Sequence, residues 1–235
     1  MDIGALDQMD SATKAVIYTE DENSKILEHA LVEAGYSLDS VKVVTHNGLN
    51  NSQVACAFQE MIEMMVSAPR VIVHRDRDFL SDEEVSVWGK PFIDAGVAVF
   101  CPKLCDTEAY CASAEHIASA AKLTLEEAES LRQSVIVDNI DKLRSKFREK
   151  RRFANGRIWK DGGGPSTKEL WPDGQLPAEE QIYGKLLLAE VCKELKRRRF
   201  VERNFDLSVH PCQALANELR VVLSSECKAL TSVDD

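Results

Sequence analysis

Val71-Ile72-Val73-His74-Arg75-Asp76-Arg77-Asp78 decides how this chain is read: a short, β-branched apolar run that ends in two aspartates one residue apart. A run of this length bounded by charge predicts a buried strand, which puts the aspartates at its carboxyl end, where open α/β sheets place their chemistry. Side chains alternate along a strand, so Asp76 and Asp78 point the same way and Arg77 points elsewhere. Two carboxylates side by side raise each other's pKa, and a divalent cation is the usual means of keeping both ionised. A solvated strand end is the alternative for an isolated pair of this kind, so the rest of the sequence has to decide.

Upstream, Ala15-Val16-Ile17-Tyr18-Thr19 reads as a strand leading into Glu20, then a helix from about Ser24 to Ala34 closed by Gly35. Val41 to Thr45 reads as a second strand ending at Asn47-Gly48, and a helix from about Ser52 to Val66 carries Val54, Phe58, Met61, Ile62 and Met65 as core filler. After the aspartates, Ser81-Asp82-Glu83-Glu84 predicts a capping box that opens a helix to about Asp94, and Val97 to Cys101 predicts a fourth strand. Strand and helix alternate through the first half, which predicts an α/β fold with a mostly parallel four-stranded sheet flanked by helices. From Thr124 the pattern turns helical: Leu125 through Phe147, about Ala178 to Arg198, and about Pro211 to Ser225, with a tail beyond Leu230 expected to be unstructured. The expected division is a catalytic core over 1–122 and a helical extension over 123–235.

Composition sets the class. The chain has 235 residues, 44% hydrophobic and 29% charged, with a net charge of -10, which argues against indiscriminate coating of nucleic acid. No apolar run reaches membrane-spanning length and Met1-Asp2-Ile3-Gly4 lacks a signal-peptide pattern, so a cytoplasmic protein without membrane contact is expected. Seven cysteines without paired spacing read as reduced thiols; Cys101, Cys105 and Cys111 have no neighbouring His to complete a zinc set. The glycines at 162–164 form a loop rather than a P-loop, since no GxxxxGK[ST] is present. Locally basic stretches stand out against the acidic whole. Arg148, Lys150, Arg151 and Arg152 in one, and Arg197 and Arg198 in another, are candidate nucleic-acid-binding residues, with a solvated helix face as the alternative for each.

Glu20 sits just past the first strand and Glu108 just past the fourth, so a parallel sheet would bring them to the same edge as Asp76 and Asp78. Taken singly, each acid has a plain explanation as a helix amino-terminal residue. Together they resemble the Toprim domain of topoisomerases, primases and nucleases. Within that family, Asp106-Thr107-Glu108-Ala109-Tyr110 is similar to the acid-rich segment of the OLD (overcoming lysogenisation defect) nucleases, and Tyr183-Gly184-Lys185-Leu186-Leu187 resembles their Gly-Lys helix start. The chain departs from the OLD pattern at Asp21 and Ser24, where a glycine and an acid are usual, and it has no Walker motif. The chain therefore looks like a free-standing Toprim effector, or an excised domain, and the PARIS-type anti-phage defence systems are the architecture it most resembles.

The resemblance implies an Mg²⁺- or Mn²⁺-dependent endonuclease acting on DNA or RNA, tRNA included, as a toxic defence effector. Glu20, Asp76, Asp78 and Glu108 would be metal-holding catalytic residues, hard oxygen donors suited to those ions, and Lys185 the catalytic lysine. An ABC-type ATPase partner and a homodimer belong to the same expectation. The reading from another class is a metal-binding regulatory partner of an ATPase, without turnover. His74 is expected to be a packed residue or one that supports a ligand from behind, rather than a ligand itself.

Overall fold

The computed structural model describes residues 12–21, 23–45, 53–63, 68–160 and 162–224. The Asn47-Gly48 turn, Met65 and the end of its helix, and the tail beyond Leu230 lie outside them. Among the described residues the strands are β1 (Ala15–Thr19), β2 (Val41–Thr45), β3 (Arg70–His74) and β4 (Ala98–Phe100). The helices are α1 (Lys25–Glu33), α2 (Val54–Ile62), α3 (Asp82–Asp94), α4 (Thr107–Cys111), α5 (Ala114–Ala121), α6 (Leu125–Asp138), α7 (Ile140–Ile158), α8 (Thr167–Leu170), α9 (Gly184–Arg197) and α10 (Gln213–Ser224). None of the described helices is long and apolar enough to cross a membrane.

The fold is α/β, as the strand–helix alternation predicted. All four strands are parallel in the order β2-β1-β3-β4, with Ala15 opposite Val41 on one side of β1 and opposite Arg70 on the other. Every residue of β1 is buried, which requires cover on both faces, and helices supply it. α1 packs on β2, α2 on β3, and α10 against α1 and β4. The chain leaves β1 outward to β2 and returns to β3 on the opposite side of β1. That reversal makes the carboxyl ends of β1 and β3 the switch point of the sheet, the position where open α/β sheets bind ligands. Thr19, the last residue of β1, pairs in register with His74, the last of β3, and the Thr19 hydroxyl meets His74 Nδ1 at 2.8 Å. His74 is fully buried beside Phe100.

Two compact units emerge, and they do not follow one cut at residue 122. The sheet unit comprises residues 1–75, 89–101 and 213–235; the helical unit comprises 76–88 and 102–212. The carboxyl-terminal helix belongs with the sheet because its apolar stripe, Leu215, Ala216 and Leu219, is buried. Its Arg220 donates from Nε to Ala34 O at 3.0 Å and from Nη2 to Glu33 O at 2.6 Å, satisfying carbonyls left open at the end of α1. Gly35, at φ +92°, ends α1 as the sequence predicted.

Other boundaries moved too. The expected helix from Leu125 through Phe147 is two helices, broken at Asn139, which leaves helical geometry at φ -116°, ψ 15° and donates from its side-chain amide to Val135 O at 2.9 Å. The helix expected from Ala178 starts only at Gly184, after a short 3₁₀ turn over Glu179–Gln181.

Candidate metal and phosphate site

Six chemically active side chains of the helical unit converge on one place, and each is delivered by a different local device. Asp76 and Asp78 enter on the segment that continues from β3. Asp78 and Phe79 both have positive φ, +50° and +66°, a conformation that costs non-glycine residues on the order of 1–3 kcal/mol each. Hydrogen bonds hold the turn: Asp78 N donates to Cys105 O at 2.9 Å and Leu80 N to Arg77 O at 2.9 Å. The strand ends at His74, so the alternation expected for Asp76, Arg77 and Asp78 does not extend to them; the Arg77 side chain donates to Pro102 O at 2.9 Å and pairs with Asp82 at 2.9 Å.

Asp106 comes from the amino terminus of α4. Its Oδ1 accepts from Ala109 N at 2.9 Å, the normal bond of an N-cap, while Oδ2 accepts from Lys185 N at 3.3 Å in the first turn of α9. One buried carboxylate thus satisfies amides at two helix starts. Gly184 makes this approach possible: a Cβ there would lie 1.9 Å from Asp106 Oδ1 and 2.1 Å from Ala109 N. The glycine of the Gly184-Lys185 pair is therefore a packing requirement, and the lysine follows from it. Lys185 Nζ then reaches Asp76 Oδ2 at 3.1 Å.

Lys150 comes from α7 and bonds Asp78 Oδ1 at 2.7 Å, with its ammonium 5.8 Å from the centre of the Tyr183 ring. Glu108, half-buried in the first turn of α4, accepts from the Thr107 hydroxyl at 3.2 Å. Asp76, Asp78 and Asp106 are all buried, at 4%, 9% and 0% exposure, so water does little to separate their charges.

The electrostatics follow. Burial first, then the charges of Asp76 and Glu108, push the Asp106 carboxyl well above the usual carboxylate range, against the pull of Lys185. Burial, reinforced by Asp106, Asp78 and Asp76, drives the Cys105 thiol upward, so it stays a neutral thiol beside the acids. For Lys150 burial works against the charge, yet the Asp78 carboxylate wins and raises it. The group brings carboxylate oxygens together with two lysine ammonium groups.

Asp76, Asp78, Glu108 and Lys185 are brought into this one unit. Glu20 belongs to the sheet unit, one residue beyond Thr19. Asp106 stands in the acid-rich segment quoted above but is not among the expected ligands.

The basic residues divide. Arg151 is a correction: it is fully buried and its guanidinium is consumed within the protein, so it does not face a nucleic acid. Its fork binds Glu84 at 2.6 and 2.9 Å, and it also donates to Phe79 O at 3.0 Å and Asn155 Oδ1 at 2.8 Å. The sequence carried the signal, because Leu143, Phe147, Arg151 and Ala154 fall at helical spacing and form the buried stripe of α7. Lys150 serves Asp78, as above. Arg148 pairs with Asp173 at 2.9 Å, Arg197 and Arg198 both pair with Glu194 at 2.6 Å, and Arg152 is exposed. No protein-family model, curated protein or solved structure matches this chain.

Proposed function

We propose that the chain is a metal-dependent nuclease of Toprim type that cleaves phosphodiester bonds. The observation that carries this reading is the grouping of Asp76, Asp78, Asp106 and Glu108 with Lys185 and Lys150, in which Asp76 and Glu108 push the Asp106 carboxyl upward. The donors are carboxylate oxygens and the nearby Cys105 thiol is held neutral, a set that fits Mg²⁺ or Mn²⁺ and not zinc. When bound, such an ion supplies positive charge to phosphate oxygens. Asp76, Asp78, Asp106 and Glu108 would hold it.

The lysines do the rest. Lys185, 38% exposed at its side chain, can swing from Asp76 to a phosphate oxygen and stabilise the charge that grows during displacement. Lys150 has the same freedom on a shorter reach. Arg148 and Arg152 on α7 offer positioning contacts to the sugar–phosphate backbone without reading sequence. An anti-phage effector role, with an ABC-type ATPase partner and self-association, belongs to this proposal on the resemblance alone.

The test is cleavage of labelled duplex DNA and tRNA in parallel with Mg²⁺ or Mn²⁺. Asp78→Ala and Lys185→Ala are each expected to lower the rate at least about 100-fold, the scale of a lost charge-stabilising group. Intact substrates in every lane with wild-type protein, or unchanged rates in both variants, would sink the reading. One observation favours a second reading, the regulatory partner without turnover: both strand-end aspartates are already engaged by lysines. That reading expects co-purification with an ATPase and ATPase rates altered by the chain, with no cleavage.

A further inference from the structure

Directly behind the Asp78 turn lies a buried ion pair that touches no solvent and contacts none of the acids. Glu84 and Arg151 are 1% and 0% exposed. The Glu84 carboxylate is saturated: it accepts twice from Arg151, from Trp159 Nε1 at 2.8 Å and from Ser81 N at 2.8 Å, closing the capping box that starts α3. Arg151 also donates from Nη1 to Phe79 O and from Nη2 to Asn155, while its buried Nε makes no hydrogen bond among the described residues, and Asn155 is tied in turn to Pro165 O at 3.1 Å.

What the pair grips is informative. Phe79 is the second of two consecutive left-handed residues, and the first is Asp78. A strained pair of this kind persists only where its surroundings over-determine it. Three independent restraints surround it: the Arg151 bond to Phe79 O, the Asp78 amide bond to Cys105 O, and the edge-on packing of Phe79 against Phe147 at 4.9 Å. Phe147 and Arg151 are one turn apart on α7, and Lys150, next to Arg151, bonds the Asp78 carboxylate itself.

We infer that Arg151, oriented by Glu84, is a positioning residue that fixes the Asp78 carboxylate by clamping the carbonyl of Phe79. The pair touches no candidate ligand side chain; it acts through the backbone. A plain structural pair would stabilise the unit without favouring one aspartate. The clamp instead sets the direction of Asp78, and a Lys at 151 would keep the charge and lose the fork that binds Glu84 and Phe79 together. The functional half of this inference rests on the nuclease reading, and the backbone half does not.

Two measurements on folded protein, made well below the melting temperature, test it. The first is amide hydrogen exchange in Arg151→Lys and in the milder Glu84→Gln. Exchange at Asp78 and Leu80 is expected to quicken at least about 10-fold in both variants, with the α6 amides unchanged as an internal reference. Unchanged exchange at 78–80, or acceleration spread evenly over the unit, overturns the clamp. The second is Mn²⁺ titration by calorimetry across wild type, Arg151→Lys, Asp78→Asn and the double variant. Loss of a residue that orients a ligand weakens metal binding by about 10- to 100-fold, and the double variant is expected to bind no more weakly than Asp78→Asn alone. Additive losses would assign Arg151 to general stability. If wild type binds no Mn²⁺ or cleaves nothing, the nuclease reading falls by itself and the exchange result still decides the clamp.

Discussion

The sheet unit and the helical unit bury different things. In the sheet unit the buried set is mostly apolar, Val16, Ile17, Tyr18, Val71, Ile72, Val73 and Phe100 among it, and the buried polar groups among its described residues are Thr13, Thr19, His74 and Arg75, at or beside strand ends. The helical unit buries Asp76, Asp78, Glu84, Asp106, Thr107, His116 and Arg151. An aliphatic core is stabilised by area removed from water and tolerates small changes in shape. Buried charges are stabilised only while every partner stays in place, so their cost is justified where fixed geometry is needed for chemistry. Most of the buried charge among the described residues therefore lies in the helical unit.

That contrast can be broken by measurement. Arg151→Met leaves Glu84 buried without its cation and is expected to destabilise the protein by about 3–5 kcal/mol in urea denaturation; a loss under 1 kcal/mol would erase the distinction between the units. Acid should act through the same pair. Burial pushes the Glu84 carboxyl up, but the Arg151 fork, the Ser81 amide and the Trp159 indole bring it down to about 2. A carboxyl lowered in the folded state contributes fully above its unfolded value of about 4.3, and loses that contribution as pH falls towards 2. The contribution is about 3 kcal/mol, and Glu84→Gln is expected to flatten stability against pH between those limits.

Gly184→Ala sharpens the contrast at the site itself. The added methyl would collide with Asp106 and the α4 backbone, so α9 must move. A loss of about 1–3 kcal/mol is expected from overpacking, accompanied by a fall in cleavage larger than the stability change explains, since Lys185 moves with the helix. A stable variant with full cleavage would show that Lys185 is not placed by this contact. Ile72→Val in the sheet is the smallest test, about 0.5–1.5 kcal/mol with cleavage unchanged.

The sequence was read best where periodicity alone determines structure. β1 and β2 were found to the residue and β3 nearly so, because apolar runs bounded by charge or turn residues have one reading in an alternating α/β pattern. β4, expected over Val97 to Cys101, is three residues long, since its flanks carry no pairing with β3. The break at Asn139 was invisible because the apolar spacing runs on from α6 into α7 with only a local side-chain bond to interrupt it. The site was legible in its acids and in Lys185. What could not be read were roles set by contacts distant in sequence: Asp106 between two helix starts, Lys150 on Asp78, and the burial of Arg151 within a stretch of basic residues. Periodicity marks Arg151 as inward-facing, but nothing in the sequence names Glu84 as its partner.

The return of α10 to the sheet has a consequence for synthesis. Translation delivers β1 to β4 early, yet the helix that covers β4 and braces α1 through Arg220 follows only after the whole of the helical unit. Until it arrives the nascent sheet lacks part of its cover, an interval in which exposed apolar surface invites misassembly. A chain whose translation stops short of Gln213 has its strands but leaves the end of α1 without the two Arg220 bonds, so the order of synthesis delays completion of the sheet unit until the helical unit has been made.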